Sequence, residues 1–177
     1  MILAGMFGTQ VPSGGGGTPM IFGYNGTVEG TFPPSSGRSM FSIFNKSNAG
    51  AITSINYYHP ATASTGQVRL AAYAVSAGYP TTLLWTTAIE SPTPGAWHEF
   101  ALPSDVSGTT PAGDYALVEC AVDFAVGYLG KTNSSLTPDT YRKEGWNFAS
   151  PQTTYMTGPA DASYDGCVGI YCDYLGT

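Results

Sequence analysis

Between Ala51 and Leu117 the chain alternates short runs of β-branched, aromatic and aliphatic residues with clusters of Gly, Pro, Ser and Thr: AITSINYYH, GQVRLAAYAV, TTLLWTTAI, GAWHEFAL and GDYALV. Short apolar runs closed by turn-forming residues predict consecutive antiparallel strands. From Gly66 to Val75, Val68, Leu70, Ala72 and Ala74 fall on one face while Gln67, Arg69, Ala71 and Tyr73 fall on the other. That is the two-residue period of a half-buried strand. No segment sustains a helical period, so the pattern predicts an all-β chain.

Residues 1–19 stand apart from this pattern. A short apolar head, Ile2, Leu3, Met6 and Phe7, precedes the run Gly14 to Gly17. Four consecutive glycines have the most backbone freedom to lose and hold no fixed path by themselves, so the stretch reads as an extended arm with a Gly-rich hinge. The four head residues suit contact with a partner, lacing into a neighbouring subunit; an arm folded back on its own domain is the alternative.

Residues 20–177 read as one β-sandwich domain, because 177 residues suit a single core of ordinary size. MIFGY and TVEGTF predict edge strands ended by Pro33 and Pro34, and Ser39 to Asn45 predicts a strand rich in Phe and Ile. In Ala51 to His59 both faces mix polar and apolar residues. Pro80 is expected to open a connection into a strand with Leu83, Trp85 and Thr87 on one side; the next strand groups His98, Phe100 and Leu102. Ala116, Val118, Cys120 and Val122 form a face expected in the core. FAVGYLGK reads as a further strand, Thr132 to Gly145 as a long polar loop of the kind that is usually functional. In the closing strand Val168, Ile170 and Cys172 alternate with Cys167, Tyr171 and Asp173. Eight or nine strands in two antiparallel sheets make a jelly-roll sandwich the expected fold, with an immunoglobulin-like sandwich as the alternative.

Composition narrows the partners. Charged residues make up 10% of the chain, against roughly 25% in a typical soluble domain. The surface must then be covered largely by hydroxyls, amides and Gly, which are easier to desolvate than ions; that suits packing on other proteins or on sugars. The net charge is −6, and of the six basic residues, Arg38, Lys46, Arg69, Lys131, Arg142 and Lys143, only the last two adjoin. Phosphate neutralisation needs clustered cations, so nucleic acid is not expected as a partner. No run has the length to cross a bilayer and MILAGMFGTQ has no basic region, so neither membrane insertion nor a signal peptide is expected. Cys120, Cys167 and Cys172 leave at least one thiol unpaired, and all three read as buried thiols of a reducing compartment.

Candidate chemistry is sparse. No GxSxG elbow, Walker loop, HExxH or paired CxxC occurs. Glu99 and Glu119 are a conceivable carboxylate pair for glycoside hydrolysis, which needs the acids about 5 to 9.5 Å apart; solvated strand faces are the plainer reading. His59 and His98 have no evident partner, and Asp161, Asp165 and Asp173 lack the close spacing of a calcium loop. No catalytic residue, cofactor or metal is therefore expected. Tyr57, Tyr58, Trp85 and Trp97, with Tyr73 and Tyr79, suit either a stacking platform for sugar rings or the core and a subunit interface.

The succession GAITSINYY, TGQVRLAAYA, TLLWTT, PGAWHEFALP and PAGDYALVE resembles a β-sandwich module of phage virion proteins that is also similar to carbohydrate-binding-like domains of bacterial surface proteins. The resemblance covers about Ala49 to Val122. In that module a VRLAIY strand is followed by TLLA, GWNTF and GTYWL strands; this chain lacks the usual Trp after Tyr115 and carries its own long loop and arm. The resemblance implies a jelly-roll scaffold for display or binding. With the tethered head and the charge-poor surface, the expectation is a non-enzymatic capsid decoration protein of a bacteriophage, located in the virion after assembly in the host cytoplasm. Its expected partners are the major capsid protein or another virion protein and copies of itself, a trimer being one arrangement. A carbohydrate-binding module or phage adhesin, with a glycan as partner, is the alternative.

Overall fold

Strand-forming runs become strands wherever an apolar face finds another sheet. A computed structural model describes residues 17–26, 28–31, 38–59, 61, 67–106, 108–121, 130–132, 140–144, 160, 162–164 and 168–177. In chain order they form β1 (Thr18–Gly23), β2 (Val28–Thr31), β3 (Arg38–Lys46), β4 (Gly50–His59), β5 (Val68–Ser76), β6 (Tyr79–Thr86) and β7 (Ala96–Phe100). A 3-10 turn at Ser104–Val106 leads to β8 (Thr109–Thr110), β9 (Gly113–Ala121), β10 (Gly130–Thr132), β11 (Thr140–Glu144), β12 (Ala162–Tyr164) and β13 (Ile170–Gly176).

Two antiparallel sheets pack face to face. The first runs β1-β13-β4-β7, with β8 on β4; the second runs β12-β11-β3-β9-β5-β6; β2 and β10 pair separately. The chain crosses between the sheets from β3 to β4, β4 to β5, β6 to β7 and β8 to β9. Between β5 and β6 it stays in one sheet through Ala77 and Gly78, both at positive φ (52° and 80°). Two such residues give the turn whose twist matches the flanking strands. This is the all-β antiparallel sandwich that the alternation predicts.

Phe22, Ile55, Tyr57, Phe100, Ile170 and Tyr174 of the first sheet meet Met40, Phe44, Leu70, Trp85, Tyr115 and Leu117 of the second. Each such side chain contributes about 1.5–3 kcal/mol by leaving water. A second apolar cluster, Phe41, Ala71, Tyr73, Ala116, Val118 and Cys120, lies on the opposite face of the second sheet, with Tyr141 and Ala160 packed against it. Strands β5 and β9 are thus buried on both faces, not half-buried. Ala116, Val118 and Cys120 are buried as expected, but away from the first sheet; Tyr115, Leu117 and Glu119 face it. A strand covered on both sides reads as a continuous apolar run rather than an alternating one, as YALVECA does.

Other expectations shift for local reasons. Leu83 and Trp85 do not share a face, because Ala72 pairs with Trp85 and Tyr73 with Leu83, leaving Leu84 as an extra residue. The bulge reverses the alternation; Leu83 packs in the outer cluster and Trp85 between the sheets. Pro80 lies inside β6, an edge strand where its missing N–H is tolerated. Leu102 is exposed beyond the end of β7 rather than grouped with Phe100. The stretch expected to be a long polar loop contains β11, which pairs with β3. Strand β1 begins at Thr18, two residues inside the expected arm. Ile2, Leu3, Met6, Phe7 and residues 14–16 lie outside the described residues, as does most of FAVGYLGK.

One end of the sandwich gathers the start of β1, the end of β13 and the start of β4. Thr18 pairs with Gly176, Gly176 with Gly50 and Gly50 with Thr110, so four backbones run side by side. Lys46 fastens this end. Its Nζ donates to the carbonyls of Asn48 (2.6 Å) and Thr110 (3.1 Å) and lies 4.2 Å from the Tyr174 ring centroid.

Candidate functional site

The outer face of the first sheet carries an aromatic cluster. Along β4, Tyr57 turns inward, so its neighbour Tyr58 turns outward; Tyr58 pairs with Trp97 of β7, and Asn56 with Tyr171 of β13. Trp97 packs edge to face against Tyr58 (5.5 Å, 69°) and against Tyr171 (5.0 Å, 71°). Strands β7 and β13 are separated by β4, about 10 Å of sheet. Rings 5.0 Å apart therefore lean toward each other over β4, beside Asn56, which is 7% exposed.

Oriented polar groups adjoin the rings. Asn56 Nδ2 donates to Ser54 Oγ (2.7 Å) and to Asp173 Oδ2 (3.4 Å), and Ser54 Oγ donates to the same carboxylate. Glu99 of β7 pairs with Asn56 of β4. Burial raises the Tyr171 phenol above its ordinary range, and the charges of Asp173 and Glu99 raise it further. No Lys or Arg occurs in β1, β4, β7 or β13. The face can stack a CH-rich ring and accept hydroxyl protons, while its carboxylates disfavour anions.

Between the sheets lies a second group. Tyr57 of β4 donates its hydroxyl to Glu119 Oε1 of β9 (2.8 Å), and His59 Nδ1 is 3.4 Å from the same hydroxyl. Glu119 sits in register between Met40 and Leu70, and its Oε2 has no hydrogen-bond partner among the described residues. Burial pushes its carboxyl up to about 8, with the Tyr57 bond pulling the other way. Burial, then the Glu119 charge, raises the Tyr57 phenol well above its ordinary range. Tyr57, His59 and Glu119 are all enclosed. The group can hold a proton between the sheets, but no substrate reaches it.

A cavity of about 390 Å³ opens at the end of the sandwich that Lys46 fastens. Ala74, Leu84, Trp85, Pro111 and Tyr115 make it mainly apolar, with Asp105 and Asp114 also on its lining. Tyr115 fixes one wall by donating its hydroxyl to the Pro111 carbonyl (2.7 Å), and Asp114 is held by Asn45 Nδ2 (2.8 Å). Trp85 Nε1–H has no acceptor among the described residues.

Several sequence candidates are redistributed. Tyr57 and Trp85 are not surface stacking groups: they are 0% and 2% exposed, because each falls on the inward face of its strand. Tyr58 and Trp97 are half-buried and do come together. Glu99 and Glu119 make no carboxylate pair, since Glu99 is on the exposed side of the first sheet and Glu119 is enclosed between the sheets. His98 has a partner after all. Its Nε2 lies 2.8 Å from Glu90 Oε2, and Glu90 Oε1 accepts the Ala101 N–H (3.3 Å). Asp161 and Asp165 lie outside the described residues, and no group of three metal-ligating side chains occurs among the described ones. Cys120 and Cys172 are buried free thiols, raised by burial; Cys172 of β13 lies in the core between the sheets and Cys120 of β9 in the cluster on the outer face of the second sheet; Cys167 lies outside the described residues. Sequence reading passed over Tyr171 as a partner of Trp97, although its outward position in IYCDY was legible. Lys46 gave no signal.

No protein-family model, curated protein or solved structure matches the chain.

Proposed function

We propose that the chain is a non-enzymatic structural protein of a phage particle, a decoration protein that binds the outer shell and braces neighbouring capsid subunits as an oligomer. The observation that carries this reading is the strand order. β1-β13-β4-β7 faces β3-β9-β5-β6, to which β11 and β12 add beyond β3, and apart from the β5–β6 hairpin the successive strands β3, β4, β5 and β6, β7 alternate between the sheets; this supports the interleaving expected of an eight-stranded jelly roll. The charge-poor chain, with 12 acidic and 6 basic residues, supports contact through neutral surfaces that need little desolvation. Repetition around a shell multiplies each small contact, and binding stabilises the bound form by mass action. Particles assembled without this chain should break open at lower temperature and higher dilution of salt than complete ones, and adding back the purified protein should restore them. Equal resistance of the two particles sinks the bracing role.

The aromatic face favours a second reading, attachment to a neutral glycan. Trp97, flanked by Tyr58 and Tyr171 and bordered by Asn56, Asp173 and Glu99, suits a pyranose ring, with stacking and hydroxyl contacts side by side. A glycan array distinguishes the readings: hits lost on Trp97→Ala assign the face to sugar, and an empty array leaves it to protein contact.

A further inference from the structure

We infer that the glycan met by the outer face of the first sheet carries a protonated amino group, with a pyranose ring on Trp97 and its ammonium on Glu99. This deepens the glycan reading of that face and rests on it; the decoration role stands apart.

The placement comes from the register. Trp97 and Glu99 are two residues apart on β7 and share its outer face, about 7 Å from each other. Beside Glu99, Asn56 and Tyr171 continue the row across β4 and β13, and Gly23 of β1 ends it without a side chain. Asp173 pairs with Ser54, two strands and two residues from Glu99, which is roughly 12 Å. Carboxylates therefore stand on both sides of Asn56, over which the Trp97 and Tyr171 rings meet at 5.0 Å.

The chemistry of the face is one-sided. Neither Glu99 nor Asp173 makes an ion pair among the described residues, and the four strands hold no Lys or Arg. Both charges reach the Tyr171 hydroxyl. Ser54 Oγ–H and the Asn56 amide donors are already engaged within the group they form with Asp173. Asn56 is 7% exposed, and its Oδ1 has no partner among the described residues. What remains for a ligand is aromatic surface, a nearly buried carbonyl oxygen and carboxylate oxygens. A sugar hydroxyl meets such acceptors with one proton. An ammonium brings three donors and a positive charge, so it gains charge-assisted bonds with the carboxylates and attraction to the faces of Trp and Tyr rings. An acetamido group in the same place brings one N–H and no charge, and an acidic sugar is repelled.

Calorimetric titration of the full-length protein at pH 6 tests this with three β-1,4-linked tetrasaccharides that differ only at C2, built from glucosamine, N-acetylglucosamine and glucose. The amino tetramer should bind about tenfold more tightly than the other two, with the gap narrowing as salt is raised. Glu99→Gln removes the charge at an exposed position, where folding is not at stake, and should cut the ratio of amino to hydroxyl affinity several-fold. Trp97→Ala should abolish binding of all three. An amino tetramer that binds the parent protein no better than the other two overturns the inference and leaves the glycan reading standing. A ratio unmoved by Glu99→Gln, or amino binding that survives Trp97→Ala, also overturns it, because the ammonium is then held by the general attraction of a polycation to a chain of net charge −6. No binding of any tetramer sinks the glycan reading, and the inference with it.

Discussion

Replacing Glu119 by Gln tests whether the carboxyl between the sheets is held neutral. Glu119 is 1% exposed, lies between Met40 and Leu70, and bonds to the Tyr57 hydroxyl from across the sandwich. Burial raises its pKa from 4.5 to about 8. Between those values the folded chain keeps a proton that the unfolded chain has released. Its contribution to stability is therefore full below about pH 4.5, declines by about 1.4 kcal/mol per pH unit above it, and levels off above about pH 8. Across the window the loss is roughly 5 kcal/mol, comparable to the whole stability of a modest domain. Gln cannot ionise, yet its carbonyl can still accept from Tyr57. Its amide donors enter a space where Oε2 already lacks a partner, at about 1–3 kcal/mol for unsatisfied groups. The two stability curves should cross: Glu119→Gln is less stable than the parent near pH 5 and more stable, by about 2–4 kcal/mol, above pH 8. Urea denaturation at half-unit steps from pH 5 to 8.5 measures this, and subtracting the curves cancels titrations that the proteins share. A difference that stays level with pH refutes the neutral buried carboxyl.

Other substitutions probe the turn, the strand edge and the two tryptophans. Ala77 has a left-handed φ of 52° before Gly78; Ala77→Asn should raise stability by about 0.5–1 kcal/mol, since Asn tolerates that region and Asn-Gly suits the hairpin. An unchanged or lower urea midpoint would be the contrary result. Gly23 has φ +106°, and an added Cβ would lie 2.6 Å from Tyr171 Cα. Gly23→Ala should therefore cost about 2–3 kcal/mol and speed amide exchange along β1 while β9 stays protected. Trp85→Ala should cost about 3–5 kcal/mol by opening the core. Trp97→Ala should cost less, since it loses mainly its two ring contacts at about 0.5–1.5 kcal/mol each. Thermal melts of the pair give the order, and a Trp97 variant as unstable as the Trp85 one would contradict the burial difference.

How much of this was legible depended on whether a strand had one buried face or two. In the closing strand, Ile170 and Cys172 are buried while Tyr171 and Asp173 are half-buried, and the two-residue period placed them correctly. In β9 and β5 both faces are buried, so the apolar set assigned to the core could be on either side, and Ala116, Val118 and Cys120 are on the outer one. A single extra residue at Leu84 was enough to separate Leu83 from Trp85, and nothing in TTLLWTT marks a bulge. The aromatic site was half legible. Tyr58 and Trp97 were among the candidates, but Tyr57 and Trp85 could not be told from them without knowing which way each strand faces. Tyr171 joins Trp97 across an intervening strand, over a separation of more than seventy residues in sequence, which local pattern does not encode. Glu119 looked like a solvated acid because a charged residue in a strand normally is one.

The two sheets are unequal in what they leave for a partner. The second sheet buries the inner faces of β3, β9 and β5 against the first and their outer faces in the Phe41, Tyr73 and Val118 cluster, so its central strands are already covered on both sides. Among the described residues the first sheet has no such cluster on its outer side. Its outer side exposes Ile21, half-buries Tyr58, Trp97 and Tyr171, and carries Asp173 and Glu99 without a Lys or Arg in β1, β4, β7 or β13. A partner meeting this face must offer apolar or hydroxyl-rich surface, because a strongly acidic one is repelled and no basic side chain there can bind phosphate. Contact through the aromatic face also leaves the Lys46 end free, where the start of β1 and the cavity lie together.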